Sequence, residues 1–160
     1  MAASTTSMEV IRVDGLSLAA RSGSGHWFNM DNSVKGGGHD GAASPMEMVL
    51  AGLAGCTAMD VLSMLEKMRA RVDDLRIAVT AERADEHPRV YTRIHLLYQV
   101  KGDVKPRQLE RAIGLSHERY CSVSAMLKPG VAIEHHYELE TSTEPATPTD
   151  TPLGAARSDG

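Results

Sequence analysis

The sequence predicts an α+β domain in which antiparallel sheets pack around a long, buried central helix. Three observations predict it. From Met46 to Leu65 the chain is apolar almost all the way round a helix, so that helix must be covered on every side. Two later stretches, 75–82 and 90–100, alternate apolar and polar residues with period two, the mark of an antiparallel hairpin with one buried face. Short apolar runs broken by turn residues precede the helix, between Met8 and Met30. The 160 residues, 42% hydrophobic and 24% charged, are enough to bury roughly two thirds of the surface the unfolded chain exposes. Residues 1–140 are expected to form a single domain. The segment 141–160, rich in Thr, Ser and Pro, is expected to be a disordered tail.

The elements follow in order. Met8 to Val13 reads as a strand, Asp14-Gly15 as a hairpin turn with both positions at positive φ, and Leu16-Ser17-Leu18 as its return. His26 to Met30 is a third strand, entered through Ser22-Gly23-Ser24-Gly25. Lys35 to Gly41 reads as a mobile polar loop; no Gly-Lys-Ser/Thr follows, so a phosphate-cradling loop is not supported. Ser44 is placed to cap the central helix, with Pro45 at its first position and Glu47 at its third. Gly52 and Gly55 allow another backbone to approach, at about 1 kcal/mol each in helix propensity. A dimer that buries this helix between two sheets would satisfy its apolar surface. In the hairpin Leu75, Ile77, Val79 and Ala81 face one way, as do Val90, Ile94, Leu96, Tyr98 and Val100, with Tyr91 on the outer face. Pro106 opens a second helix running to Tyr120, with Cys121 at or just past its end, and Val131 to Leu139 forms a last strand.

Composition excludes several classes. Lys and Arg total 17 and Asp and Glu 21, a net charge of −4 with no basic block, which argues against nucleic acid and against a polybasic membrane anchor. Aromatics at 4% leave no stacking platform for single strands. The charge-free stretch Met48–Met59 is well short of the ~20 residues a bilayer needs, and the start carries no signal-peptide pattern. The expected compartment is the cytoplasm. There, Cys56 and Cys121 read as working thiols or inert core residues rather than a structural disulfide.

Cys56 lies within the apolar helix, where a free cysteine also serves as a small hydrophobe. Cys121, in Glu118-Arg119-Tyr120-Cys121-Ser122, has charged and hydroxyl neighbours able to stabilise a thiolate, and a partly exposed position is expected for it. Two thiols distant in sequence suit peroxide reduction, in which one forms a sulfenic acid and the second condenses with it to a disulfide. His117, four residues before Cys121, shares its face if the helix is continuous. That pair is either a nucleophile with its base or half of a zinc site whose other ligands have no recognisable spacing. His135 and His136 point to opposite faces of a strand, and His26, His39, His87 and His95 read as surface or turn residues.

Ser44-Pro45-Met46-Glu47 through Gly55-Cys56-Thr57-Ala58-Met59-Asp60 resembles the central-helix motif of the OsmC-like family, which includes the organic hydroperoxide resistance proteins. Tyr120-Cys121-Ser122-Val123-Ser124-Ala125-Met126-Leu127 resembles its second-cysteine motif, and Ser24-Gly25-His26 agrees with the YhfA-like branch. The resemblance spans about residues 8–140. It implies an intertwined homodimer and a thiol-dependent peroxidase that reduces organic hydroperoxides to alcohols. Cys56 would attack and Cys121 resolve, re-reduced by a dithiol donor of lipoyl or thioredoxin-like type, with no metal or nucleotide cofactor. In peroxidase members an acid directly follows the proline and pairs with an arginine. Here that position is Met46 and the acid is Glu47, nine residues from Cys56 and on the opposite side of a continuous helix. Glu47 would therefore act through a helix break or toward a partner subunit, or simply complete the cap; Arg12, Arg21 and Arg119 are the candidate cations. A dimeric redox sensor or apolar-ligand-binding protein without efficient peroxidase activity is the alternative.

Overall fold

Two three-stranded sheets flank the sequence of the central helix. The computed structural model describes residues 5–142. Strands β1 (Met8–Asp14), β2 (Ser17–Ser22) and β3 (Trp27–Met30) form an antiparallel sheet in chain order. After the central helix α1 (Pro45–Lys67) come β4 (Arg71–Arg83), β5 (Tyr91–Asp103), α2 (Pro106–Leu115), α3 (Ser122–Leu127) and β6 (Ala132–Thr141). The second sheet has the order β4-β5-β6. The α+β prediction holds, but this sheet is mixed: β5 is antiparallel to β4 and parallel to β6, Arg93 pairing with Ala132 and Gly102 with Thr141. The two helices between β5 and β6 form a crossover that returns the chain to the start of β5, and only a parallel strand can follow such a return.

The Asp-Gly turn is displaced by one residue. Asp14 pairs with Ser17, so Gly15 and Leu16 are the central positions, and Gly15 alone takes positive φ, +52°. A bulge between Arg12 and Asp14 absorbs the shift. The glycine-rich loop is wound tightly rather than open. The Asp31 carboxylate, itself buried, accepts backbone N–H bonds from Asn32 (2.7 Å), His39 (3.2 Å) and Gly41 (3.0 Å). Those bonds, Gly41's above all, hold Asp31 below the usual carboxylate range.

The capping box of α1 is formed: Ser44 Oγ accepts from the Glu47 N–H, and the Glu47 carboxylate accepts from the Ser44 N–H at 2.7 Å. By length and composition α1 could cross a membrane. Leu53, Thr57, Val61 and Leu65, one residue per turn, instead pack into the domain core, against Ile94, Leu96, Tyr98 and Val100 of β5 and Leu109 and Ile113 of α2. At Gly102, φ +150°, a Cβ would lie 2.1 Å from the Arg71 carbonyl oxygen, so the position paired with Val72, beside the bulge at Asp73, admits only glycine. A second bulge, between Glu82 and Arg83, turns Tyr91 inward. Tyr91, expected outside, is buried and its hydroxyl donates to the Met46 carbonyl at 2.9 Å.

The rest of α1 is left bare by its own chain. Met59 is 74% and Leu62 41% exposed, and nothing lies within 4 Å of a Cβ built at Gly52 or Gly55. In the first sheet only Ala20 is buried, while Met8, Val10, Val13 and Trp27 each stand more than half exposed. Strand β6 runs through Thr141, and the Ser142 N–H bonds the Gly102 carbonyl. The expected tail beyond Ser142 lies outside the described residues.

Candidate functional site: two thiols and a carboxylate

The local sequence brings both cysteines to one place. Cys56 sits mid-way along α1, half-buried. Cys121 is the N-cap of α3 and only 2% exposed, its Sγ accepting the Ser124 N–H at 3.4 Å. The continuous helix expected from His117 to Cys121 is not there. Helix α2 ends at Leu115, and Ser116–Tyr120 form a π-turn in which the Cys121 N–H bonds the Ser116 carbonyl at 2.8 Å. Cys121 then leaves the helix with φ −71°, ψ 103°. The wider turn aims Cys121 at α1 and sends His117 elsewhere, so the expected exposure of Cys121 is corrected to burial.

The two sulfur atoms and a carboxylate oxygen of Asp60 all lie within 4.8 Å of one another. Asp60 follows Cys56 by four residues, one helical turn, and that spacing is the signal by which the sequence could have revealed it. These three donors are one short of a tetrahedral zinc set, and no histidine among the described residues joins them. Burial pushes the Cys56 thiol up; the Val123 backbone N–H pulls it down, and the nearness of Cys121 and the charge of Asp60 raise it again. Among the described residues no cation enters that balance. Arg12 donates to the Gly15 carbonyl at 3.1 Å, Arg21 lies over the Trp27 ring and Arg119 over Tyr120. Glu47 stays at the far end of α1 in its capping box, some 13 Å along the axis from Cys56 at 1.5 Å per residue.

Asp60 heads a buried chain of hydrogen bonds that the sequence did not reveal. Ser116 Oγ donates to Asp60 at 2.9 Å and also meets Thr57 Oγ1 at 2.9 Å. Thr57 Oγ1 meets the Tyr98 hydroxyl at 2.6 Å, and that hydroxyl meets His117 Nε2 at 2.9 Å. His117 stacks on His135, centroids 4.5 Å apart, while His136 on the other face of β6 meets His95. Burial lifts Tyr98 to about 12. Burial first, then the charges of His135 and Lys128, brings His117 from 6.5 to about 4. Since its folded value lies below its unfolded one, the unfolded chain binds the extra proton. The contribution of neutral His117 to stability is therefore complete above pH 6.5 and is lost as pH falls toward 4, about 2 kcal/mol of it by pH 5. Urea unfolding at pH 7.5 and 5 should show that loss, and His117→Gln should flatten it; an equal slope in both proteins would contradict the assignment.

A cleft of about 380 Å³ opens beside Asp60, walled by Met64, Met68, Leu115 and Tyr120, with Lys67 and Arg111 also on its lining.

The model of the OsmC-like protein family matches residues 37–136, well over half the chain. The chain belongs to the OsmC-like family. Among OsmC-like relatives it is similar to the protein YhfA of Escherichia coli (strain K12), 46% identical over 128 residues that make up 79% of this chain and 92% of YhfA. A hypothetical protein from Aquifex aeolicus VF5 has a similar structure, with TM-score 0.78 and 28% identity, covering 88% of this chain and 99% of that one. An OsmC organic hydroperoxide resistance protein from Legionella pneumophila shares the fold, with TM-score 0.64 and 17% identity over 89% of this chain and all of that one.

Proposed function

We propose that this OsmC-like protein is a thiol-dependent peroxidase that reduces organic hydroperoxides to alcohols. Cys56 attacks the peroxide and becomes a sulfenic acid; Cys121 condenses with it to a Cys56–Cys121 disulfide. The observation that carries the reading is the approach of the two sulfurs to within 4.8 Å across 65 residues of chain. A modest shift brings them to bonding distance. Burial supports this division of roles, since Cys56 is half-buried and Cys121 is enclosed. The name of the Legionella neighbour points the same way. A dithiol of lipoyl or thioredoxin-like type would reopen the disulfide, and the reaction needs no metal or nucleotide. The working form is a cytoplasmic homodimer that engages neither nucleic acid nor membrane, its partner covering the bare face of α1 and the first sheet. Because α1 is unbroken, Glu47 can serve a thiol only in the partner subunit.

The test is a brief exposure of reduced protein to one equivalent of an organic hydroperoxide, then alkylation and peptide mapping without reductant. Rapid formation of a Cys56–Cys121 cross-link is the expected result. Two free thiols after minutes would favour the second reading, a dimeric redox sensor or apolar-ligand-binding protein. That reading draws support from Met46 in the place of the acid and from the upward push on Cys56 with no cation to offset it.

A further inference from the structure

Resting on the peroxidase reading, we infer that Asp60 is the proton carrier of the thiol pair and that Ser116 is the positioning residue that holds it. A thiol peroxidase has a proton problem at both of its steps. The nucleophile must lose a proton, and the leaving oxygen must gain one. Neither Glu47 nor any of Arg12, Arg21 and Arg119 is placed to help within the chain, whereas the Asp60 carboxylate lies within 4.8 Å of both sulfurs. One oxygen of Asp60 is fixed by the Ser116 hydroxyl, which is itself wholly buried. Asp60 also lines the cleft between α1 and α2. The groups facing it are Cys56 and Lys67 on its own helix, Cys121 at the head of α3, Ser116 on the π-turn, Arg111 across the cleft on α2, and Tyr120.

The steps balance. In the first, the Cys56 thiol gives its proton to the Asp60 carboxylate and the thiolate attacks the terminal oxygen of R–O–O–H. The O–O bond breaks, sulfur is oxidised to the sulfenic acid, and the alkoxide leaves as alcohol with the proton from Asp60. In the second, the Cys121 thiol protonates Asp60, its sulfur attacks the Cys56 sulfur, and the S–O bond breaks. Hydroxide leaves as water with the same carrier's proton. The sum is dithiol plus hydroperoxide to disulfide, alcohol and water. A single carboxylate within 4.8 Å of both sulfurs suits both transfers.

Asp60 also opposes thiolate formation, because its charge helps to raise Cys56. Shuttle and charge therefore predict opposite consequences for Asp60→Asn. The reduced wild type and the variant are each mixed with cumene hydroperoxide and, separately, with iodoacetamide, whose iodide leaves without a proton. The expected result is a hydroperoxide rate lower by about 100-fold, the usual scale of general acid–base help, with iodoacetamide labelling of Cys56 unchanged or faster. Ser116→Ala, which leaves the carboxylate but frees it, should show the same split at smaller size and keeps the question open to test where Asp60→Asn folds poorly. Equal slowing with both reagents would mean structural damage, and faster reaction with both would mean charge alone; either overturns the inference. Wild-type protein that alkylates but does not consume hydroperoxide would bring down the peroxidase reading itself.

Discussion

Cys56→Ser is expected to abolish hydroperoxide consumption, and Cys121→Ser to permit one oxidation and then stop. Cys56 is the thiol that solvent reaches, so its loss removes the nucleophile and leaves an enclosed Cys121. In Cys121→Ser the sulfenic acid has no partner within reach, and further peroxide drives it to sulfinic acid, visible by mass as the gain of a second oxygen. Retained turnover in Cys56→Ser would remove that residue from the chemistry; sustained turnover in Cys121→Ser would remove the disulfide. The pH dependence follows from the direction of the Cys56 shift. With the thiol raised, the thiolate fraction at neutral pH is small and grows as pH rises, so the single-turnover rate of the wild type should climb through the mildly alkaline range. A rate already flat from pH 6 upward would mean that a cation, supplied by a second subunit, lowers the thiol.

Some of this was legible in the residues alone, for local reasons. Ser44, Pro45 and Glu47 encode their cap within one helical turn, and the structure forms it. The alternation from Ile94 to Val100 likewise survives, since a strand's two faces are set by its own pleat. The errors arise where a long-range arrangement decides. Parallel β6 depends on the length of the crossover, not on the residues of the strand. Tyr91 turns inward because of one extra residue, Thr92, beside it in its own strand. Asp60 reads in sequence as the charge that ends an apolar run. Only the π-turn at Ser116–Tyr120, invisible to helical periodicity, brings Ser116 and Cys121 against it. Two distant thiols suggest peroxide chemistry, but their roles come through resemblance to a family, because no spacing rule links two cysteines across the β4–β5 hairpin and α2.

The second large effect concerns assembly: Leu62→Asp should convert a dimer into a monomer. Helix α1 buries only the stripe Leu53, Thr57, Val61 and Leu65 in its own domain and offers Met59 and Leu62 to the outside. A helix apolar on nearly every side needs cover, and the first sheet, exposed along β1, is of the right kind to supply it from a second copy. Light scattering should therefore give twice the 17.2 kDa chain mass for the wild type. In a two-fold assembly the substitution enters twice. Losing about 2 kcal/mol of burial at each site weakens association by roughly 1,000-fold, before any cost of enclosing the new charge. The glycines add a reading of opposite sign. In an isolated chain Gly52→Ala meets open space and should stabilise α1 by about 1 kcal/mol, whereas a closely packed partner backbone turns that gain into a loss. A wild-type monomer stabilised by Gly52→Ala would leave the bare face of α1 without its partner, and a thiol site assembled within one chain.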